Sequence, residues 1–164
     1  MKRSIFLASV ISIAFAGLAM AQSSDSHTAT VTVQAIGVIN VDNDLTLTIS
    51  TATPGSQPTS VSDATTSNLL WTVNGNTAKK IQVKAGAALP SGITLTVVAQ
   101  NIAKVGTGTP AAASTVTLSA SDQDFITAVN KSAGTADLNY TATATVDAAV
   151  QSNAVTVTYT VING

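Results

Sequence analysis

The feature that most constrains this chain is its two-residue rhythm. Ala29, Val31, Val33 and Ala35 alternate with Thr28, Thr30, Thr32 and Gln34. Leu45, Leu47 and Ile49 alternate with Thr46 and Thr48, and Ile93, Leu95 and Val97 with Thr94 and Thr96. Successive side chains of a β-strand point to opposite faces, so this rhythm gives each strand one dry and one wet side. Beyond the first two dozen residues no stretch carries the helical period. Threonine, β-branched and strand-favouring, is the recurrent polar partner. All eight acidic residues are aspartate, which suits turns better than helices. These observations predict an all-β chain, and the absence of helix-period segments argues against a parallel α/β sheet.

The opening residues have a different character. Lys2 and Arg3 precede an apolar stretch from Ile5 to Ala19, which ends in Ala19-Met20-Ala21. That order is the signature of a secretion signal, expected here as a helix over residues 1–21 and cleaved after Ala21. The stretch is short for a membrane span of about 20 residues, and its flanks fit cleavage better than an uncleaved anchor. Residues 22–164 are then expected to form a single β-sandwich domain without a membrane span. The expected location is outside the cytoplasm: periplasm, cell surface or extracellular space. The chain has no cysteine, so disulfides cannot staple it. Loss of Lys2 and Arg3 leaves five lysines facing eight aspartates, a net charge near −3. A weakly acidic chain without a basic cluster is a poor nucleic-acid binder. Its 45% hydrophobic residues, regularly spaced, argue against disorder.

Further strands are expected at Leu69–Val73, closed by an Asn74-Gly75 hairpin turn, at Lys80–Lys84, and at Thr115–Ser119. Ser121–Asn130 reads as a short strand or turn, although Ser121 and Asp124 could also cap one helical turn. Leu138, Tyr140, Ala142, Ala144 and Val146 share one face of a long strand. Val155, Val157, Tyr159 and Val161 share a face of another. A break in the rhythm near Gly37 suggests a bulge or a change of sheet. Thr51–Thr66, with Pro54-Gly55 and Pro58, reads as loop. Eight or nine such strands predict a two-layer antiparallel β-sandwich.

No catalytic constellation stands out. His27, the one histidine, lies in a polar run without fixed partners, and general-base work needs a fixed position. Asp42 with Asp44, and Asp122 with Asp124, offer oxygen ligands but lack the glycine and distal glutamate of a calcium loop, and turn formation explains them as well. Asn130-Lys131-Ser132 and Asn139-Tyr140-Thr141 match the glycosylation sequon, a pattern common by chance. No metal or cofactor is expected. Trp71, Tyr140 and Tyr159 align with the apolar faces of their strands, so they are expected in the core rather than on a sugar-stacking platform.

The strand Leu69-Leu70-Trp71-Thr72-Val73 resembles the tryptophan-bearing core strand of immunoglobulin-like sandwiches, without their paired cysteines. The mature chain as a whole is similar in style to secreted bacterial surface proteins of the fimbrial or pilin type, with an alternating strand at each end, Thr28–Ala35 and Val155–Ile162. That resemblance implies a non-enzymatic, structural surface subunit, whose partners are further copies of itself or other surface proteins. An uncharged alternating strand can pair with its own sheet or with a neighbour's edge. The eight residues Thr28, Ala29, Thr30, Val31, Thr32, Val33, Gln34 and Ala35 are the expected strand-exchange segment. The alternative is a secreted module that binds a carbohydrate or other polymer through its loops.

Overall fold

The computed structural model describes residues 24–164. The expected signal helix over residues 1–21 lies outside the described residues. The chain divides into two units, Met1–Thr32 and Val33–Gly164. In the first, Ser24–Thr32 has no regular secondary structure and its side chains are exposed.

The second unit holds ten strands: β1 (Gly37–Val41), β2 (Val61–Asp63), β3 (Asn68–Val73), β4 (Lys79–Ala85), β5 (Ile93–Gly106), β6 (Ala111–Ala112), β7 (Val116–Thr117), β8 (Gln123–Thr127), β9 (Ser132–Ala144) and β10 (Val157–Asn163). Among the described residues there is no helix. The strands form two sheets, and every ladder is antiparallel. One sheet has six strands in the order β1-β3-β9-β5-β7, with β2 also paired to β9. β3 covers Ser132–Asp137 of β9, and β2 takes over at Tyr140–Ala142. The other sheet has four strands in the order β10-β4-β8-β6. Their inner faces share one hydrophobic core, to which Leu69, Trp71 and Leu138 come from the first sheet and Ile81, Val83 and Tyr159 from the second. The result is a sandwich-like, all-β arrangement.

Local sequence explains much of this. In β3 the burial alternates without a slip, with Leu69, Trp71 and Val73 inside and Leu70 and Thr72 outside. β9 does the same through Ala136, Leu138 and Tyr140. Two places break the rhythm. In β8 both Phe125 and Ile126 are buried, because the register with β4 shifts between Ile81 and Gln82 and turns two successive side chains inward. In β5 the register with β9 shifts between Gln100 and Ala103. Asn101 sits there at φ 50°, a conformation that asparagine tolerates better than most residues.

Several expectations need correction. Asn74-Gly75 does not close a hairpin: β3 belongs to the six-stranded sheet and β4 to the four-stranded one, so the turn carries the chain between sheets. Gly75 supplies the positive φ of 101° that this turn uses. Thr28–Ala35 forms no strand. Leu45–Ile49 forms none either, although its burial still alternates, with Leu45, Leu47 and Ile49 half-buried and Thr46 and Thr48 exposed. Alternation supplies faces, but a strand also needs a backbone ladder, and neither segment forms one among the described residues. Gly37 marks no bulge; it is the first residue of β1. Within Thr51–Thr66, three residues pair as β2. Val146 lies beyond β9 and is 68% exposed. The short strands β2 and β6 raise the count above the expected eight or nine.

Candidate functional site

The expected exchange segment meets the fold at Asn74. The ladder between β1 and β3 ends with Gly37 opposite Val73. Asn74 then extends it with three hydrogen bonds. Its backbone N–H donates to the Ile36 carbonyl at 3.1 Å. Its side-chain Nδ2 donates to the Gln34 carbonyl at 2.8 Å, and its Oδ1 accepts from the Ile36 N–H at 2.5 Å. An asparagine side chain offers donors and an acceptor together, so it can stand in for the next residue of a strand. Gln34 and Ile36 are therefore held in line with β1. Ahead of them, Thr28–Val33 adopts no regular structure, and Val31 and Val33 are 85% and 76% exposed. Nothing in the sequence distinguished Asn74 from an ordinary turn residue, because its partners lie about forty positions away.

In the second unit β1 and β10, which lie next to each other across the two sheets, each carry a ladder on one side only. The core thins out along these edges. Ile39 of β1, Leu45 and Leu47 beyond it, Val157 and Val161 of β10, and Val155 before it are all partly buried against the core. Neither edge strand contains a charge or a proline, the usual guards against pairing with another chain.

The three aromatic residues expected in the core lie inside. Trp71 is 3% exposed, and its Nε1–H donates to Ser132 Oγ at 2.9 Å. That hydroxyl donates in turn to the Val129 carbonyl at 2.7 Å. The indole lies against Gly134 of β9, where a Cβ would collide with the ring and with the Ala103 carbonyl. Tyr140 and Tyr159 join the two sheets through their hydroxyls, 2.7 Å apart. Phe125 packs on Tyr159 with ring centroids 5.3 Å apart at 57°. Burial pushes both phenols above their ordinary pKa.

The aspartates are occupied by protein groups. Asp42 accepts from the Asn68 side-chain amide at 3.0 Å and from the Asn68 N–H at 2.6 Å, which hold its carboxyl below the usual range. Asp124 accepts from Gln82 and Lys80, which lower it likewise, and Asp122 pairs with Lys84 at 3.1 Å. Asp44 is exposed. Among the described residues, no group of three or more histidine, cysteine or acidic side chains is placed to hold a metal ion. His27 is exposed and outside any strand. Of the two sequon asparagines, Asn139 lies within β9, and its Oδ1 is buried without a hydrogen-bond partner.

The two outer faces differ in chemistry. Lys80, Gln82, Lys84 and Asp124 cover the outside of the four-stranded sheet. The outside of the six-stranded sheet carries a shallow depression of about 540 Å³, lined by Val38, Leu70, Thr72, Ala133 and Val105 among others. Among the described residues that line it, Lys104 is the one with a charged side chain. Comparison with protein-family models, with curated proteins and with solved structures finds no match to this chain.

Proposed function

We propose that this protein is a non-enzymatic, exported structural subunit of a cell surface, immunoglobulin-like and fimbrial in style, that self-assembles by strand exchange. One observation carries the reading: Thr28–Val33 has the pattern of a half-buried strand and forms none, with Val31 and Val33 left in water. A strand with one apolar face gains stability only when that face is covered. Main-chain bonds to an exposed edge would supply affinity, and the alternating side chains would supply register. Nothing in the segment is charged to oppose such pairing.

The alternative, a carbohydrate- or polymer-binding module, has less support. Sugar platforms use exposed aromatic faces, and Trp71, Tyr140 and Tyr159 are all turned inward.

The size distribution of the exported protein tests the proposal. Multimers are expected at high concentration, together with a folded monomer when Thr28–Val33 is deleted. A peptide of sequence Thr28–Ala35 should bind that truncated monomer. A full-length protein that stays monomeric at high concentration would remove the assembly reading.

A further inference from the structure

We propose that the depression on the outer face of the six-stranded sheet is a binding trough for a free, single-chain amphiphile with an anionic head, of the fatty-acid class. The ladders build its shape. Val38, Thr72, Ala133 and Val105 stand opposite one another across β1, β3, β9 and β5, and Asn40, Leu70, Thr135 and Ala103 form the next row. Side chains two apart on a strand share a face, so both rows lie on one side of the sheet. Leu69, Trp71 and Val73 point inward, so that side is the outer one. Along β9 the side chains are small, Ala133 and Thr135, while Val38 and Leu70 rise on one flank and Val105 on the other. A floor of small residues between taller walls makes a trough that runs along β9 toward Lys131.

Apolar surface gathers in it. Val38, Leu70 and Val105 are 56%, 37% and 71% exposed. Water leaves such side chains when an alkyl chain covers them. The depression of about 540 Å³ continues past Thr72, Ala133 and Val105 into a second of about 320 Å³, beside Gly75, Gly106 and Lys131. Small-molecule sites have volumes of about 300–1,000 Å³.

The charge at that end has one sign. Lys104 lines the first depression and Lys131 the second, and among the described residues neither is lined by an acidic side chain. The ion pairs among the described residues join Lys80 to Asp124 and Lys84 to Asp122, on the other sheet, so no carboxylate neutralises Lys104 or Lys131. Lys104 Nζ donates to the Gly106 carbonyl at 3.1 Å, and an ammonium has three donors, which leaves others for a ligand carboxylate. Lys131 is fixed at φ 53°, and its carbonyl accepts from the Gly108 N–H at 3.1 Å. A Cβ at Gly106 would collide with that carbonyl, so the glycine lets the neighbouring loop press Lys131 into a backbone conformation that lysine rarely adopts.

Size selects a small ligand over a second copy. Four strands about 4.8 Å apart, each contributing about five residues at about 3.3 Å, cover about 300 Å². A specific protein interface buries about 800 Å² on each partner. An alkyl chain needs only the trough, and its carboxylate would meet the lysines at the end.

Decanoate, kept monomeric and titrated into the exported protein by calorimetry, is the probe. Saturable binding is expected, with the amide NMR signals of Val38, Thr72, Ala133 and Val105 shifting together. Decanol, which lacks the charge, and acetate, which lacks the tail, should each bind at least about tenfold more weakly, as expected for loss of one charged hydrogen bond or more. Lys104→Gln and Lys131→Gln should each weaken decanoate by about the same factor. Val105→Asp should abolish binding. The lysine variants leave the core untouched, so they test the site even where Val105→Asp unfolds. Decanol that binds as tightly as decanoate, shifts centred on other residues, or uptake only into vesicles that contain decanoate would overturn the proposal. So would multimers that dissociate in Val105→Asp while decanoate binding is unchanged, which would make the face an interface between copies. Deletion of Thr28–Val33 that shifts the same four amides without decanoate would overturn it too, with that segment as the occupant.

Discussion

Thr28–Ala35 and β10 have nearly the same pattern and opposite fates. Both alternate apolar residues with polar ones, and both are uncharged. β10 lies in continuous register on β4, and its Tyr159 reaches Tyr140 of the facing sheet and the ring of Phe125. Thr28–Ala35 forms no strand. The difference is one large side chain and one available neighbour. Fixing a backbone residue costs about 1–2 kcal/mol, and apolar burial returns about 25 cal/mol per Å². Two alanines and two valines have little area with which to offset that cost, whereas a buried tyrosine contributes a large area and a hydrogen bond. A neutral alternating segment is thus competent to be a strand, and an aromatic on its dry face, with a partner edge, makes it one.

The sharpest way to break the comparison is to remove that aromatic. Tyr159→Ala should cost about 3–5 kcal/mol, the usual range for deleting a large buried aromatic, measured by urea unfolding. The amides of β10 should then exchange nearly as fast as those of Thr28–Val33. A loss below about 1 kcal/mol would mean that the ladder with β4, and not the ring, holds β10.

Tyr159→Phe keeps the ring and strands the Tyr140 hydroxyl, so a loss of about 1–3 kcal/mol is expected. The same variant changes the alkaline limb of the pH profile. Both phenols titrate above their ordinary value in the fold, so the unfolded chain loses its protons first as pH rises. Stability should hold up to about pH 10 and fall above it, with a shallower fall in the variant. At the acid end the sign reverses. Asp42, Asp63 and Asp124 titrate below the usual range, because hydrogen bonds from Asn68, from Thr65 and Thr66, and from Gln82 and Lys80 favour their charged forms. The unfolded chain takes up protons first as pH falls, so stability should drop below about pH 4.

Asn74→Ala moves the boundary between the two regimes. It should cost about 1 kcal/mol and leave the Ile36 amide open to exchange, so that the unstructured segment lengthens to Gly37. An Ile36 amide that stays protected would place its hold elsewhere. The smallest effect is expected at Val31→Ser, within about 0.5 kcal/mol for the isolated chain, because that side chain is already 85% exposed. A large loss there would show that the segment packs in solution.

The candidate site was legible only in part. The donor pattern of Thr28–Ala35 stands in the sequence, and so do the inward faces of Trp71, Tyr140 and Tyr159, because a period of two is a property of neighbouring residues. Asn74 was not legible: Asn-Gly signals a turn, and its side-chain bonds to Gln34 and Ile36 exist only once β1 lies beside β3. Gly134 was equally silent, since its lack of a side chain matters only where the Trp71 ring crosses it.

By itself the sequence determined an all-β chain and the inward faces of β3, β4 and most of β9, consequences of backbone sterics and side-chain character within a few residues. The tertiary structure alone decided that Asn74-Gly75 joins two sheets rather than closing a hairpin. It also decided that β9 takes β3 along one half and β2 along the other, and that Leu45–Ile49 and Thr28–Ala35 lie outside any ladder. The physical reason is reach: alternation is set between adjacent residues, whereas a ladder is a competition among edges that lie dozens of residues apart, won by whichever pairing covers the most apolar surface.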